Sequence, residues 1–184
     1  MITDGNICKN MIRISDISDK NIDMLISFNN FFDNKLTIHR NFRKQQKKYY
    51  NTICFKNIDI VEFLKNEYKL TPNKTFTIEA PYINWNVLRG IFDGDGCIHK
   101  ENKGINCYKF IITSASDKLI IQIVNFLNEY NIKSSVYDRG TYKDIVVCSK
   151  NYLQIIFDNF YKNSHYFIKR KYNVWCPSFE KSNE

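Results

Sequence analysis

Glycine and proline are scarce in this chain, at 6 and 3 residues out of 184. That scarcity excludes collagen-like, low-complexity and long-linker chains. Histidine is as sparse: His39, His99 and His165 stand far apart, and none is directly beside an Asn or a second His as a histidine-based nuclease motif would want. No two cysteines have CxxC spacing, which excludes the usual zinc fingers and ribbons. No apolar run approaches the ~20 residues of a bilayer-spanning helix, and the start does not read as a signal peptide. The expectation is an intracellular chain that is not secreted and has no membrane partner. Its thiols (Cys8, Cys54, Cys97, Cys107, Cys148, Cys176) should be reduced and mostly buried.

Apolar residues are plentiful at 43%, enough for a packed core rather than a disordered chain. Lys plus Arg outnumber Asp plus Glu by 27 to 19, a formal charge of +8. Such a surplus on a folded domain favours a polyanionic partner, nucleic acid first.

One pattern occurs twice. Asp4-Gly5-Asn6-Ile7 and Asp95-Gly96-Cys97-Ile98 each open a short extended segment. After a turn come Met11–Ser15 and Lys109–Thr113, which alternate with the period of a half-buried strand. Ser18-Asp19-Lys20 and Ser116-Asp117-Lys118 then supply helix starts, with an N-cap oxygen and an acidic first turn. The helices that follow carry Ile22, Leu25, Ile26, Phe28 and Leu119, Ile120, Ile123, Val124, Leu127 at helical spacing. Two more strands (Lys35–His39 with Tyr49–Phe55; Lys133–Tyr137 with Lys143–Cys148) and a closing helix (Ile58–Glu67; Tyr152–Tyr161) complete each copy. The predicted fold class is α/β (α+β), a fused pair of β-β-α-β-β-α units. The first is expected over 1–71, a linker over 72–83 around Pro72 and Pro81, and the second over 84–184.

Between the halves lies Leu88-Arg89-Gly90-Ile91-Phe92-Asp93-Gly94-Asp95-Gly96. Asn84–Asp93 suits a short helix with Gly90 and Gly94 on one face. Glycine there costs about 1 kcal/mol against alanine, a cost that makes sense where another backbone approaches. An Asp at a helix C-terminus suits a divalent cation beside it, because the helix end is itself partly negative.

This nonapeptide closely resembles the LAGLIDADG signature, with Arg in its second place. The strand order after each Asp-Gly, the Pro72-Asn73-Lys74-Thr75 segment and Arg170-Lys171-Tyr172 are similar to that family over essentially residues 1–175. The resemblance implies a LAGLIDADG homing endonuclease fold with pseudo-twofold, saddle-shaped antiparallel sheets lying over DNA, and two signature helices side by side at the centre. It implies magnesium (two or more divalent ions), held by Asp4 and Asp95, as cofactor. It also places Lys74 and Lys171 near the cleaved phosphates, with Asp93 an end or capping residue. The implied reaction is site-specific hydrolysis of both strands of a long double-stranded DNA site, as in intron or intein homing. Met1 falls inside the first motif, so the first signature helix is not among these residues. The expectations are a longer parent chain, a partner chain or self-association that supplies the helix, or a degenerate copy.

Arg40, Arg43, Lys44, Lys47 and Lys48 crowd one segment, read as a loop along phosphates; its counterpart at Asp138–Lys143 is shorter and less charged. The polar parity of the strands offers Asn6, Arg13, His39, His99, Lys109 and Arg139, and the second-half turn ends at Lys143. With Arg43 and Lys47, these are the candidate DNA contacts, because Arg, Asn and Lys on a strand ribbon suit base edges and phosphates. Trp85 and Trp175 are expected to fill the core. The competing reading is a nucleic-acid-binding protein that does not cleave, an intron maturase or a regulator, on the same scaffold.

Overall fold

The computed structural model describes residues 5–16, 22–45, 47–70, 74–100 and 107–178. The predicted starts at Asp4 and at Ser18-Asp19-Lys20 lie outside them.

Each half builds one antiparallel sheet. In the first, β1 (Gly5–Cys8), β2 (Met11–Asp16), β3 (Ile38–Arg43) and β4 (Lys48–Lys56) pair in the order β1-β2-β4-β3. In the second, β5 (Gly96–Lys100), β6 (Tyr108–Ser114), β7 (Ser135–Asp138) and β8 (Lys143–Val147) repeat it as β5-β6-β8-β7. Helices α1 (Ile22–Phe31) and α2 (Ile58–Tyr68) pack on the first sheet. The second half carries α3 (Trp85–Asp95), α4 (Asp117–Glu129), α5 (Lys150–Tyr161) and α6 (Lys169–Trp175). The repeat expected from sequence is therefore present in topology, with α6 added.

Alternation decides which side of each sheet is dry. Ile14 pairs with Ile53 and Ile53 with Ile38, so one parity of the first sheet is apolar and faces its helices. Ile112 pairs with Ile145 and Phe110 with Val147 in the second sheet. Caps set the helix starts: Asn57, Asn84 and Ser116 accept from the backbone N–H three residues on.

The two cores are unequal. Ile12, Ile14, Leu25, Ile53 and Val61 form the first. The second centres on Phe92, stacked on Phe110 with ring centroids 4.9 Å apart, and on the fully buried Trp175. Trp85 is half-buried and packs against this core through Phe126 and Tyr130. Ile7 and Leu64 touch both clusters and join the halves. The segment read as a linker is anchored to the second core. Ile78 and Ala80 are buried, Gln122 bonds both the N–H and the carbonyl of Ala80 at 3.0 and 2.6 Å, and Ser116 donates to the Ile78 carbonyl at 2.6 Å.

Three expectations change. Arg40–Arg43 form a strand rather than a loop, because Phe42 stacks on Tyr49 and Arg43 covers the Tyr50 ring across the ladder. The central helix runs on through Gly94, so Asp95 is its last residue and does not follow it. The cysteines are free, but Cys8, Cys97, Cys107 and Cys148 are exposed rather than buried. Among the described residues no helix is long and apolar enough to cross a membrane.

Phe92→Ala should lower the unfolding free energy by about 3–5 kcal/mol in urea denaturation, the usual cost of emptying a buried aromatic site. A loss below about 1 kcal/mol would contradict the central place given to this ring.

Candidate active site and nucleic-acid interface

Helix α3 is two-sided. Leu88, Ile91 and Phe92 are buried in the second core, whereas a Cβ added at Gly90 would meet nothing within 4 Å. Gly96 ends the helix by donating its N–H to the Phe92 carbonyl. A Cβ at Gly96 would lie 2.3 Å from the Phe92 ring and 2.7 Å from that carbonyl, so only glycine fits the exit. The exit leaves Asp95 exposed, one residue before β5.

Asp95 lines a pocket of about 430 Å³ with Thr75, Phe76, Thr113, Ser114 and Tyr142. Thr75 and Phe76 belong to a single 3-10 turn, Lys74–Phe76, so the backbone of Lys74 arrives at this pocket. The Lys74 side chain and Asp4 lie outside the described residues. Among those residues, no three His, Cys, Asp or Glu side chains gather as a metal cage. The exposed Asp95 carboxylate is an oxygen donor of the kind that a hard, largely hydrated divalent cation takes.

Lys171 is buried beside the end of α3. Its side chain is 4% exposed, and Nζ donates to the carbonyls of Phe92, Asp93 and Gly96 at 2.5, 2.8 and 2.5 Å. The same ammonium stands 4.8 Å from the Phe92 ring centre. It is turned to the helix end, not to a solvent-side phosphate. Asp93 lies in the last turn of α3, a helix-end residue as expected, with its Oδ1 sealed without a hydrogen-bond partner. Burial pushes its carboxyl up to about 6, against the pull of Lys171, Arg89 and the Ile168 N–H. Arg89 itself donates to the Phe160 carbonyl at 2.8 Å, and burial lowers its pKa. Tyr161 packs within this buried charge group and is raised by burial and by Asp93.

The sheet faces away from the helices carry most of the other candidates. Arg13, His39, Asn41 and Arg43 converge with Tyr50, Thr52 and Cys54 around a polar pocket of about 320 Å³. Asn6 pairs with Arg13 in register and is exposed. Lys47 is exposed at the β3–β4 turn with φ 50°. On the second sheet His99 pairs with Lys109. Arg139 is held 3.1 Å from Asp144, whose other oxygen accepts from Thr113 at 2.7 Å. Lys143 does not join them. It pairs in register with Ser114 on the helix-side parity, and its Nζ lies 2.5 Å from Asp117 in the first turn of α4. A cation there completes the helix N-terminus through the acid that caps its charge. Sequence reasoning missed Asn41, Tyr50 and Thr52; alternation through β3 would have found Asn41 had Arg40–Arg43 been read as strand, and alternation through the strand expected at Tyr49–Phe55 would have found the other two.

A groove of about 360 Å³ runs along the bare face of α3, lined by Gly90, Gly94, Met24, Phe28, Phe31 and Tyr166. It lies between the halves and is mostly apolar in its lining.

Between pH about 4 and 6 the native Asp93 keeps a proton that the unfolded carboxyl has lost. The native state is therefore favoured at the acid end of that window, and stability falls as pH rises through it. Asp93→Asn removes this loss. In chelator, the melting temperature of the variant relative to the parent should rise from pH 4 to pH 7; a difference flat with pH would contradict the raised Asp93.

The profile of the LAGLIDADG-like domain matches residues 84–160. No curated protein matches the chain. Among solved structures, the meganuclease I-SmaMI bound to uncleavable DNA aligns with a TM-score of 0.66 at 13% identity, covering 96% of this chain and 85% of that one. Full-length DUF199/WhiA from Thermatoga maritima aligns at 0.60 and 13% identity, covering 99% of this chain and 57% of that one. The N-terminal LAGLIDADG domain of DUF199/WhiA aligns at 0.55 and 13%, covering 86% and 75%. Residues 84–160 thus match the LAGLIDADG-like domain, and the chain as a whole has the fold of the LAGLIDADG homing endonuclease I-SmaMI, a fold it also shares with WhiA.

Proposed function

We propose that the chain is the core of a metal-dependent, site-specific DNA endonuclease of the homing type, acting on both strands of a long duplex site. The observation that supports this most is Asp95: an exposed carboxylate at the end of the central helix, one residue before a strand whose open face leads away from it. The shared fold with a DNA-bound meganuclease supports the same reading.

In this reading the two sheets lie along the duplex. Arg13 and Arg43 on the first sheet and Lys109 on the second meet phosphates or guanine edges, and Asn6, Asn41, His39 and His99 add polar contacts. Arg139, already paired with Asp144, is a fixed donor rather than a mobile one. The grip is unequal, stronger over the first half-site. Asp95 holds magnesium together with Asp4, and Lys74 brings positive charge toward the oxygen on which negative charge develops. When bound, the ions polarise the scissile phosphate and lower the pKa of a coordinated water. The open groove beside Gly90 supports a further element: another helix, from a partner chain or a second copy, packing where no Cβ intervenes. Sedimentation of the isolated chain as a monomer that cuts without any partner would remove that element.

The test is incubation of a randomised duplex library with magnesium, calcium or chelator. The parent should cut a defined site only with magnesium, and Asp95→Asn should lose about 100-fold or more. On the selected site, Arg13→Ala should weaken binding and flatten the slope of log affinity against log salt by about 1, whereas Lys143→Ala should leave the slope unchanged. Salt-sensitive binding with no cutting would instead support the maturase-like or regulatory role.

A further inference from the structure

Three carbonyls share one buried ammonium at the end of α3, and they come from both sides of Asp95. Phe92 and Asp93 precede it on the helix, and Gly96 follows it as the first residue of β5. A helix C-terminus leaves carbonyls without intrahelical partners and carries a partial negative charge. A carboxylate placed there is therefore repelled by the backbone that carries it. We propose that Lys171 is the positioning residue of this site: by tying helix end to strand start it fixes the Asp95 carboxylate and offsets the helix-end charge beside it, so that Asp95 can hold a divalent cation. This rests on the metal-holding role of Asp95 proposed above and departs from the expectation that Lys171 meets DNA.

The geometry leaves Lys171 little other role. Its Nζ sits against Phe92 and is shielded by the second core, so reaching a phosphate would require breaking the three bonds. The tie also explains why α6 belongs to the second half. Lys171 stands one turn before Trp175, which anchors that helix beside Phe92 and Phe110. Gly96 completes the arrangement, since any side chain there would strike the Phe92 ring and carbonyl. The three carbonyls that the lysine takes lie on both sides of Asp95 and leave its side chain outside the clamp.

The test compares Lys171→Met and Lys171→Gln with the parent and Asp95→Asn, using Mn²⁺ binding read by electron paramagnetic resonance and amide exchange in the metal-free protein. Both Lys171 variants should weaken Mn²⁺ binding about tenfold and speed exchange of the Gly96 amide, while amides of α4 exchange as in the parent. A merely structural loss would instead speed exchange in both places and leave the Mn²⁺ affinity of the folded fraction unchanged, which would overturn the proposal. If Lys171→Met does not fold, Lys171→Gln, a donor without the charge, carries the comparison. Parent-like Mn²⁺ affinity and parent-like Gly96 exchange in a folded variant would also overturn it. Parent protein that binds Mn²⁺ no better than Asp95→Asn would overturn the metal role of Asp95 and the positioning role together. Parent protein that binds Mn²⁺ through Asp95 but cuts no duplex would remove the endonuclease reading and leave the positioning role standing.

Discussion

Helix α3 buries Leu88, Ile91 and Phe92 on one side and leaves Gly90 bare on the other, and its position decides where everything else stands. The buried side ties it to the aromatic cluster of Phe110, Phe160 and Trp175. The bare side faces the groove between the halves. The end of the helix, fixed by Gly96 and gripped by Lys171, presents Asp95 to solvent at the start of the second sheet. Apolar burial thus sets a polar group at a chosen point. The stability of the core and the placement of the carboxylate come from the same residues.

The halves share topology but divide the labour. The second holds the large aromatic core, and the segment after α2 is stitched to it through Ser116 and Gln122. The first has a smaller core and the richer cationic face, which carries Arg13 and Arg43, the latter laid over Tyr50. Arginine stacked on an aromatic ring keeps its donors outward while its plane is supported, which preorganises it for phosphate or guanine. The second face is more restrained: Asp144 neutralises Arg139, and Asp117 withdraws Lys143. A basic partner surface of uneven strength follows from these pairings rather than from the count of cations.

Much of the fold was legible because it rests on local signals. Two strands after each Asp-Gly, the Ser116 cap and the helical spacing of Leu119, Ile120 and Ile123 are patterns within a dozen residues. The places that were misread depend on distant partners. Arg40–Arg43 look like a solvated charge run until Tyr49 and Tyr50 arrive across the ladder to stack on them. Lys171 has no local reason to be buried; its carbonyl acceptors lie more than seventy residues earlier. Lys143 shares a register with Ser114 that only strand pairing reveals. Of the candidate site, Asp95 and its Gly96 exit were readable in sequence, while the clamp and the buried Asp93 were not.

DNA that crosses both sheet faces, as proposed above, has the end of α3 at its midpoint. Cys97 stands exposed two residues past Asp95, so an iron chelate attached to it reports what lies there. The measurement uses the chain with its other cysteines changed to serine, on a duplex selected by binding. Strand breaks confined to the centre of a protected footprint, flanked by two protected arms, are the predicted result. Breaks at one edge of the footprint, or scattered along it, would contradict the account.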